Sequence, residues 1–369
     1  MIFCLDARTA QDHFPGVGRY AFNLARAVAA GLAASETLVV LRDPSNAAAR
    51  DLSPPDHSRA QLIDTAVSPF ALQQQWRVPR LLRQIGAQLY HSPYYLMPWR
   101  TGLPTVVTIH DLIPLRFPAY FSVRDRWLFA VAIRLAVKAA RSVIAVSATT
   151  ACDLTQALHV PAPRITTIPE AADPAFFPQS PDAIAALRTR LSLPERYVLY
   201  FGSNKPHKNL VRLVDAWARL QPQPMPLVIA GVWDARYPQA RRRAETQRLG
   251  AAIRFLGPIA EADLAALYSG ALLFVFPSEY EGFGLPAIEA MACGIPVACS
   301  NVASLAEVAG DTARLFDPYQ VDSIAAAIEA LLRDTDLRSD LSARGASRAA
   351  MFTWTDAARK TLEVYRSLR

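Results

Sequence analysis

A chain of 369 residues, 52% hydrophobic and 19% charged, is long enough for two domains with sizeable cores and too apolar to be intrinsically disordered. Its formal charge of +7 sits mostly in the first half: residues 1–170 carry 17 Lys and Arg against 11 Asp and Glu, and residues 171–369 carry 22 against 21. No nucleic-acid module accompanies that surplus, no apolar run of about 18 residues is present to span a bilayer, and Cys4, Cys152, Cys293 and Cys299 show neither a disulfide framework nor zinc spacing. The expectation is a cytoplasmic protein with small buried thiols and no secretory leader, since Met1–Leu5 reads directly into a strand. The basic surface could meet anionic lipid or a phosphorylated acceptor, or it could simply be solvated.

Short apolar runs alternate with helical patterns along the chain, which predicts an α/β architecture with parallel sheets. After Met1–Leu5 comes P-G-V-G-R-Y at 15–20, opening a helical pattern over Tyr20–Ala30. Gly16 and Gly18 form only part of a G-x-G-x-x-G dinucleotide fingerprint. Ala21 stands at its looser third position, so NAD is not excluded by motif, but Glu36 is the only acid near the spacing a ribose ligand needs. Strands are predicted at Thr37–Leu41, Leu89–His91, Thr105–Ile109 and Ser142–Val146. The third of these runs into T-I-H-D-L-I-P-L at 108–115, placing His110 and Asp111 at a strand's carboxyl end, the edge where open parallel sheets bind ligands. A helix over Arg124–Ala140 gathers Arg126, Arg134, Lys138 and Arg141 within about 120° of its wheel. Such an edge could touch anionic lipid, or be the solvated side of a core-packed helix. Pro169, Pro174, Pro178 and Pro181 then mark a linker.

A second series follows, with strands predicted at Tyr197–Phe201, Pro226–Ala230, Ile253–Leu256, Leu272–Phe276 and Pro296–Ala298, and a terminal helix at Thr355–Leu368. Two segments in it carry chemistry. Y-F-G-S-N-K-P-H-K-N-L at 200–210 is a strand, a glycine turn with Ser203, Lys205 and Lys208, then a helix; its cations suit a diphosphate. P-S-E-Y-E-G-F-G-L-P-A-I-E-A-M-A-C-G-I-P-V at 277–297 is a strand, a loop loosened by Gly282 and Gly284, then a short helix with Pro286 in its first turn and Gly294 past its end. Glu281 and Glu289 bracket that loop and Glu279 adds a third acid. Carboxylates beside a phosphate site suit sugar hydroxyls, although the same acids could merely answer the helix dipole.

The second segment resembles the retaining glycosyltransferases of family 4, GT-B fold, whose hallmark is E-x7-E; Glu281 and Glu289 match it. The resemblance implies two Rossmann-like domains facing across a cleft, the first over 1–172 with a C-terminal helix at 353–369 packing back on it, the second over 173–352. It implies that Glu281 meets hydroxyls of the donor sugar, that Glu289 holds the ribose, and that Gly282, Phe283, Gly284 and Leu285 lie along the diphosphate and sugar. Residues 200–210 are similar to the family's phosphate-gripping element, with Ser203 and His207 where many members carry Arg. Lys208, with Lys205 beside it, then grips the phosphates, and His110 approaches the transferred sugar. Gly16 and Gly18 let backbone near the donor phosphate or the acceptor, Arg19 could meet an acceptor phosphate or lie on a solvated helix start, and Asp111 orients its loop. T-I-P-E-A-A-D-P at 167–174 is similar to the linker, with Glu170 in place of the more usual Asn.

The activity implied is metal-independent, retaining hexosyl transfer from a nucleotide diphosphate sugar, without a cofactor, to a glycan or polyprenyl-diphosphate-linked acceptor, by a cytoplasmic enzyme that could sit at the inner membrane face. Residues 277–297 and 300–310 are most similar to bacterial mannosyltransferases of surface polysaccharides, which puts GDP-mannose ahead of UDP-glucose, UDP-N-acetylglucosamine and dTDP-sugars. A nucleotide-sugar epimerase, a catalytically silent partner in a glycan assembly complex and, more distantly, an NAD oxidoreductase are the rival readings.

Overall fold

The structure is a computed structural model that describes residues 1–10, 15–44, 59–220 and 225–368. It divides into two compact units, Met1–Ala171 with Phe352–Arg369, and Ala172–Met351.

The first unit is built on seven strands: β1 (Ile2–Asp6), β2 (Thr37–Arg42), β3 (Ala60–Asp64), β4 (Leu89–Ser92), β5 (Thr105–Ile109), β6 (Ser142–Ala145) and β7 (Ile165–Thr167). They are parallel, in the order β3-β2-β1-β4-β5-β6-β7. The central strands β4, β5 and β6 are buried along their whole length. Helices cover both faces of such a sheet, so a continuous apolar run replaces alternation. The core gathers Val39, Leu41, Val107 and Ile109 from the strands against Ile133 and Ala136 from the helix Val123–Ala139.

The second unit repeats the plan with β8 (Val198–Phe201), β9 (Leu227–Ala230), β10 (Ile253–Gly257), β11 (Leu273–Phe276), β12 (Val297–Ser300) and β13 (Arg314–Phe316). They too are parallel, in the order β10-β9-β8-β11-β12-β13. Each unit is therefore a doubly wound, Rossmann-like α/β domain. In both, strand order reverses at one place: between β1 and β4, and between β8 and β11. Loops leaving neighbouring strands diverge there and open a crevice at the carboxyl edge. That single topological fact decides where each unit can bind a ligand.

The terminal helix Trp354–Ser367 packs on the helix Pro15–Ala30 of the first unit. Gly31 has only 3.0 Å between the place of a Cβ and Leu362 Cδ1. Glu36 takes both arms of Arg366, at 2.8 and 2.7 Å, and the ring of Tyr365 lies 5.0 Å from that of Phe3 on β1.

Several sequence expectations shift. The helix expected from Tyr20 begins at Pro15, so Gly16 and Gly18 stand in its first turn instead of in a loop. Among the described residues a Cβ on Gly16 would meet nothing within 4 Å. Glu289 falls in the second turn of the helix Leu285–Ala292. Cys152 is exposed, unlike the other three cysteines, because it lies on the outer side of the helix Ala148–Leu158. Strands β3, β7 and β13 were not expected; β3 and β7 are edge strands with little burial, and β13 has three residues with an exposed Arg314.

Candidate functional site

In the second unit, β8 and β11 are parallel neighbours, pairing Val198 with Leu273 and Leu199 with Phe274. The two motif segments are therefore adjacent although some 70 residues apart in sequence. Backbone joins them directly: the Glu279 N–H donates to the His207 carbonyl at 2.8 Å. Asn209 reinforces the junction from a left-handed backbone, φ 59°, which Asn tolerates better than most residues. Its Nδ2 donates to the carbonyls of Pro277 (3.0 Å) and Pro318 (2.8 Å). Arg212 then donates to Asn209 Oδ1 at 2.8 Å and Glu279 Oε1 at 2.6 Å. Glu279 is thus held by a cation of its own.

Lys208 ends the short turn Pro206–Lys208 and points Nζ at Glu281 Oε1, 2.6 Å away. The side chains retain 15% and 11% exposure, so the pair is largely desolvated yet open at one side. Lys208 Nζ also lies 5.4 Å from the centre of the Phe276 ring at the end of β11. An ammonium has three donors and Glu281 takes one. The arrangement can thus give N–H groups to an anion while the carboxylate accepts from hydroxyls. Ser304 Oγ donates to the Glu281 carbonyl at 2.8 Å, fixing the loop at its start. At its end, Gly284 caps the helix Leu285–Ala292 with φ 106°. A Cβ there would stand 2.5 Å from Leu305 Cδ2. Gly282 and Phe283 are buried and Leu285 is half-buried.

Glu289 has a different environment. It is 1% exposed, and the Tyr268 hydroxyl donates to its Oε2 at 3.1 Å. The hallmark acids are therefore served by different partners, Lys208 for one and Tyr268 for the other. Lys205 is exposed at the start of the turn, and Ser203 accepts through its carbonyl from the Tyr200 hydroxyl at 2.8 Å. His207 is buried, and burial, helped by Lys208 and Lys205, pushes its pKa well below the ordinary range. It is a neutral packing residue beneath the loop.

In the first unit, His110 follows β5 and is gripped at both ring nitrogens. Nδ1 lies 2.7 Å from Glu170 Oε1 and Nε2 lies 2.9 Å from the Pro93 carbonyl beyond β4. Thr150 Oγ1 donates to the His110 carbonyl at 3.1 Å, and the Tyr20 ring meets the imidazole edge-on at 4.8 Å. Behind it a polar chain links His91 Nδ1 to the Tyr365 hydroxyl (2.6 Å), His91 Nε2 to Thr108 Oγ1 (2.8 Å) and Thr108 to the Tyr20 hydroxyl (3.0 Å). The terminal helix thus supports the His110 loop through Tyr20. Asp111 Oδ1 accepts from the Ile113 N–H at 3.0 Å and shapes the turn. Arg19 is buried, not on a solvated helix start.

Sequence reasoning did not single out Tyr268, Ser304, Tyr20 or Glu170 as site residues. Tyr20, closing P-G-V-G-R-Y, Glu170, in T-I-P-E-A-A-D-P, and Ser304, within 300–310, carried a local signal; Tyr268 carried none. Among the described residues no three His, Cys, Asp or Glu converge as a metal-binding group, and no helix is long and apolar enough to cross a membrane.

Comparison with known proteins agrees with this fold. Residues 15–176 match the family model for Glycosyltransferase Family 4, and residues 187–348 match that for Glycosyl transferases group 1. The chain is 34% identical over 292 residues to the O-antigen chain mannosyltransferase B of Escherichia coli, covering 78% of this chain and 76% of that one. It is 32% identical over 284 residues to the serotype-specific mannosyltransferase WbdA of Escherichia coli, spanning 74% of this chain but about a third of that protein (34%). Among solved structures, sucrose-phosphate synthase from Thermosynechococcus elongatus superposes with a TM-score of 0.76 at 25% identity, over 100% of this chain and 99% of that one.

Proposed function

This chain belongs to glycosyltransferase family 4, and we propose that it transfers mannose from GDP-mannose, with retention and without a metal ion, to a glycan or lipid-linked acceptor in surface polysaccharide synthesis. The observation that carries the donor site is the Lys208–Glu281 pair, held at the β8/β11 switch point by the backbone bond from Glu279 to His207. A cation and a carboxylate fixed side by side suit a ligand that carries phosphate next to sugar hydroxyls. Lys208, with Lys205 and the loop backbone at Ser203 and Gly282–Leu285, takes the diphosphate. Glu281 accepts from the sugar, Glu289 from the ribose. Gly16 and Gly18 let backbone approach the donor phosphate, His110 approaches the transferred sugar, and Arg19 and Asp111 belong to the acceptor side. The two Escherichia coli mannosyltransferases favour mannose.

Thermal unfolding with GDP, UDP, dTDP, ADP and NAD, without added metal, tests the reading. GDP is expected to give the largest rise in Tm, corresponding to about 2.7 kcal/mol at a hundred times its Kd. Release of mannose from GDP-mannose should require an acceptor, which separates a transferase from an epimerase. A rise with NAD alone, or with none of the five, removes the donor site.

We further propose peripheral contact with an anionic bilayer through the helix Val123–Ala139. Its buried side is Phe129, Ile133, Ala136 and Val137. Its exposed side carries Val123, Trp127, Leu128 and Val131 interleaved with Arg124, Arg134 and Lys138, within about 140° of the wheel. Apolar and basic groups share the solvent face, so Trp127 and Leu128 could enter a bilayer surface while the long basic side chains reach its anionic head groups. Trp127→Ser is expected to weaken sedimentation with phosphatidylglycerol vesicles several-fold, and added salt to weaken it further. Equal binding to neutral phosphatidylcholine vesicles, or none to either, would count against the contact.

A further inference from the structure

We infer that Glu170 is a positioning residue that keeps His110 doubly protonated, so that the imidazole is pinned as a hydrogen-bond donor and has no lone pair with which to act as a base. The geometry fixes one proton at once. Nε2 stands 2.9 Å from the Pro93 carbonyl, which can only accept, so Nε2 carries hydrogen. Nδ1 stands 2.7 Å from Glu170 Oε1. One proton lies between that nitrogen and that oxygen, and the surroundings decide its owner.

Every element packed against the ring contributes. Asp111, next in the chain, adds negative charge. The Tyr20 ring, from the helix Pro15–Ala30, is neutral and edge-on. Among the described residues His91, from β4, is the other imidazole facing it, and burial followed by repulsion from His110 drives its pKa down to about 3, so it is neutral. Thr150 contributes a hydroxyl to the backbone carbonyl alone. Burial disfavours a charged His110, but the hydrogen bond and charge of Glu170, the Pro93 carbonyl and Asp111 outweigh it and raise its pKa. The proton therefore belongs to Nδ1, and the buried Glu170 accepts it through Oε1.

The chemical consequences follow from the lone pairs. An imidazolium has none, so His110 has no means to take a proton from an acceptor hydroxyl. Both N–H groups are already donated, to Glu170 and to the Pro93 carbonyl, so a ligand oxygen shares an N–H with one of them. What remains is an ion pair that fixes the ring and its two N–H groups at the carboxyl edge of β5. The sign with pH is determined. The folded pKa is raised above the unfolded value near 6.5, so the pair's contribution to stability is complete below about pH 6.5 and disappears as pH rises through the folded pKa. Above it, a bare Nδ1 faces a buried carboxylate and the grip is lost.

The test uses the full chain, labelled with nitrogen-15. Long-range proton–nitrogen spectra, with His110 assigned by its loss in His110→Gln, should show both ring nitrogens protonated at pH 6–7. Glu170→Gln keeps the packing, since its amide can donate to a bare Nδ1. It should lower the His110 midpoint by at least about one pH unit, the smallest usual effect of an adjacent opposite charge. The alkaline limb of kcat/KM should move down with it, with near wild-type rates retained at low pH. This last part alone rests on the transferase reading; the spectra report on the proton whatever the enzyme transfers. An unprotonated Nδ1 at pH 6–7 in the wild-type chain overturns the proposal, because Glu170 then owns the proton. It is equally overturned if Glu170→Gln slows the reaction alike at every pH with the midpoint unmoved, as a purely structural role would. Should Glu170→Gln not fold, the wild-type spectrum still decides.

Discussion

Lys208→Met is expected to abolish the rise in Tm given by the nucleoside diphosphate and to lower kcat/KM by about 10²–10³, the usual loss when one preorganised donor to a developing anion is removed. It should also destabilise the folded chain by about 2–4 kcal/mol. The reason is the environment of Glu281: both side chains of the pair are largely buried, at 15% and 11% exposure, so deleting the cation leaves a carboxylate with poor hydration and no counterion. Two effects with different causes thus share one substitution.

The double variant separates them. Lys208→Met with Glu281→Gln removes both charges and should recover most of the lost stability, since replacing a buried pair by neutral groups is often close to neutral. It should recover none of the activity, because the ligand has lost both the cation for its phosphate and the carboxylate for its sugar. Urea denaturation of the four proteins gives the coupling energy and initial rates give the catalytic one. If the double variant regains activity together with stability, the pair is a structural brace and the donor site lies elsewhere.

How much of this was legible depends on where each interaction's information resides. The central strands announce themselves because burial on both faces leaves uninterrupted apolar runs such as L-F-V-F in β11. β3, β7 and β13 do not, being short or half-exposed. Glu281, Glu289 and Lys208 were readable because each sits in a local strand–loop–helix pattern with few ways to fold. That Lys208 pairs with Glu281 was not, since it follows from β8 lying beside β11. The Glu170–His110 contact spans 60 residues and joins the segment after β7 to the end of β5. These strands are not even neighbours, because β6 lies between them. Nothing in the spacing encodes that. Tyr268 was equally hidden: its ring packs on Phe274 like any core aromatic, and only its hydroxyl distinguishes it.

Gly231 carries the other large effect. The V-I-A-G ending of β9 reads locally as a simple turn, yet a Cβ on Gly231 would overlap the carbonyl oxygen of Gly202 and stand 2.8 Å from its carbonyl carbon. These are backbone atoms at the ends of the paired strands β8 and β9, so neither has a rotamer through which to yield. The residue also holds φ 127°, a conformation closed to other L-residues. Gly231→Ala is therefore expected to cost more than about 4 kcal/mol, in the exceptional range for a single substitution. Gly257→Ala is the matched control. Gly257 also has positive φ, 80°, but nothing within 4 Å of its Cβ position among the described residues, and its carbonyl still accepts from the Gly231 N–H. Left-handed strain alone should cost about 1–2 kcal/mol. The close approach has a use at the site: it lets Asn204 take Asp234 and Tyr237 carbonyls through Nδ2, both at 2.8 Å, tying the Lys205–Lys208 turn to the loop after β9. Gly231→Ala should then lose nucleotide stabilisation wherever it still folds, and Gly257→Ala should keep it. Equal losses in urea denaturation for the two would show that backbone conformation, not the contact with Gly202, is what Gly231 provides.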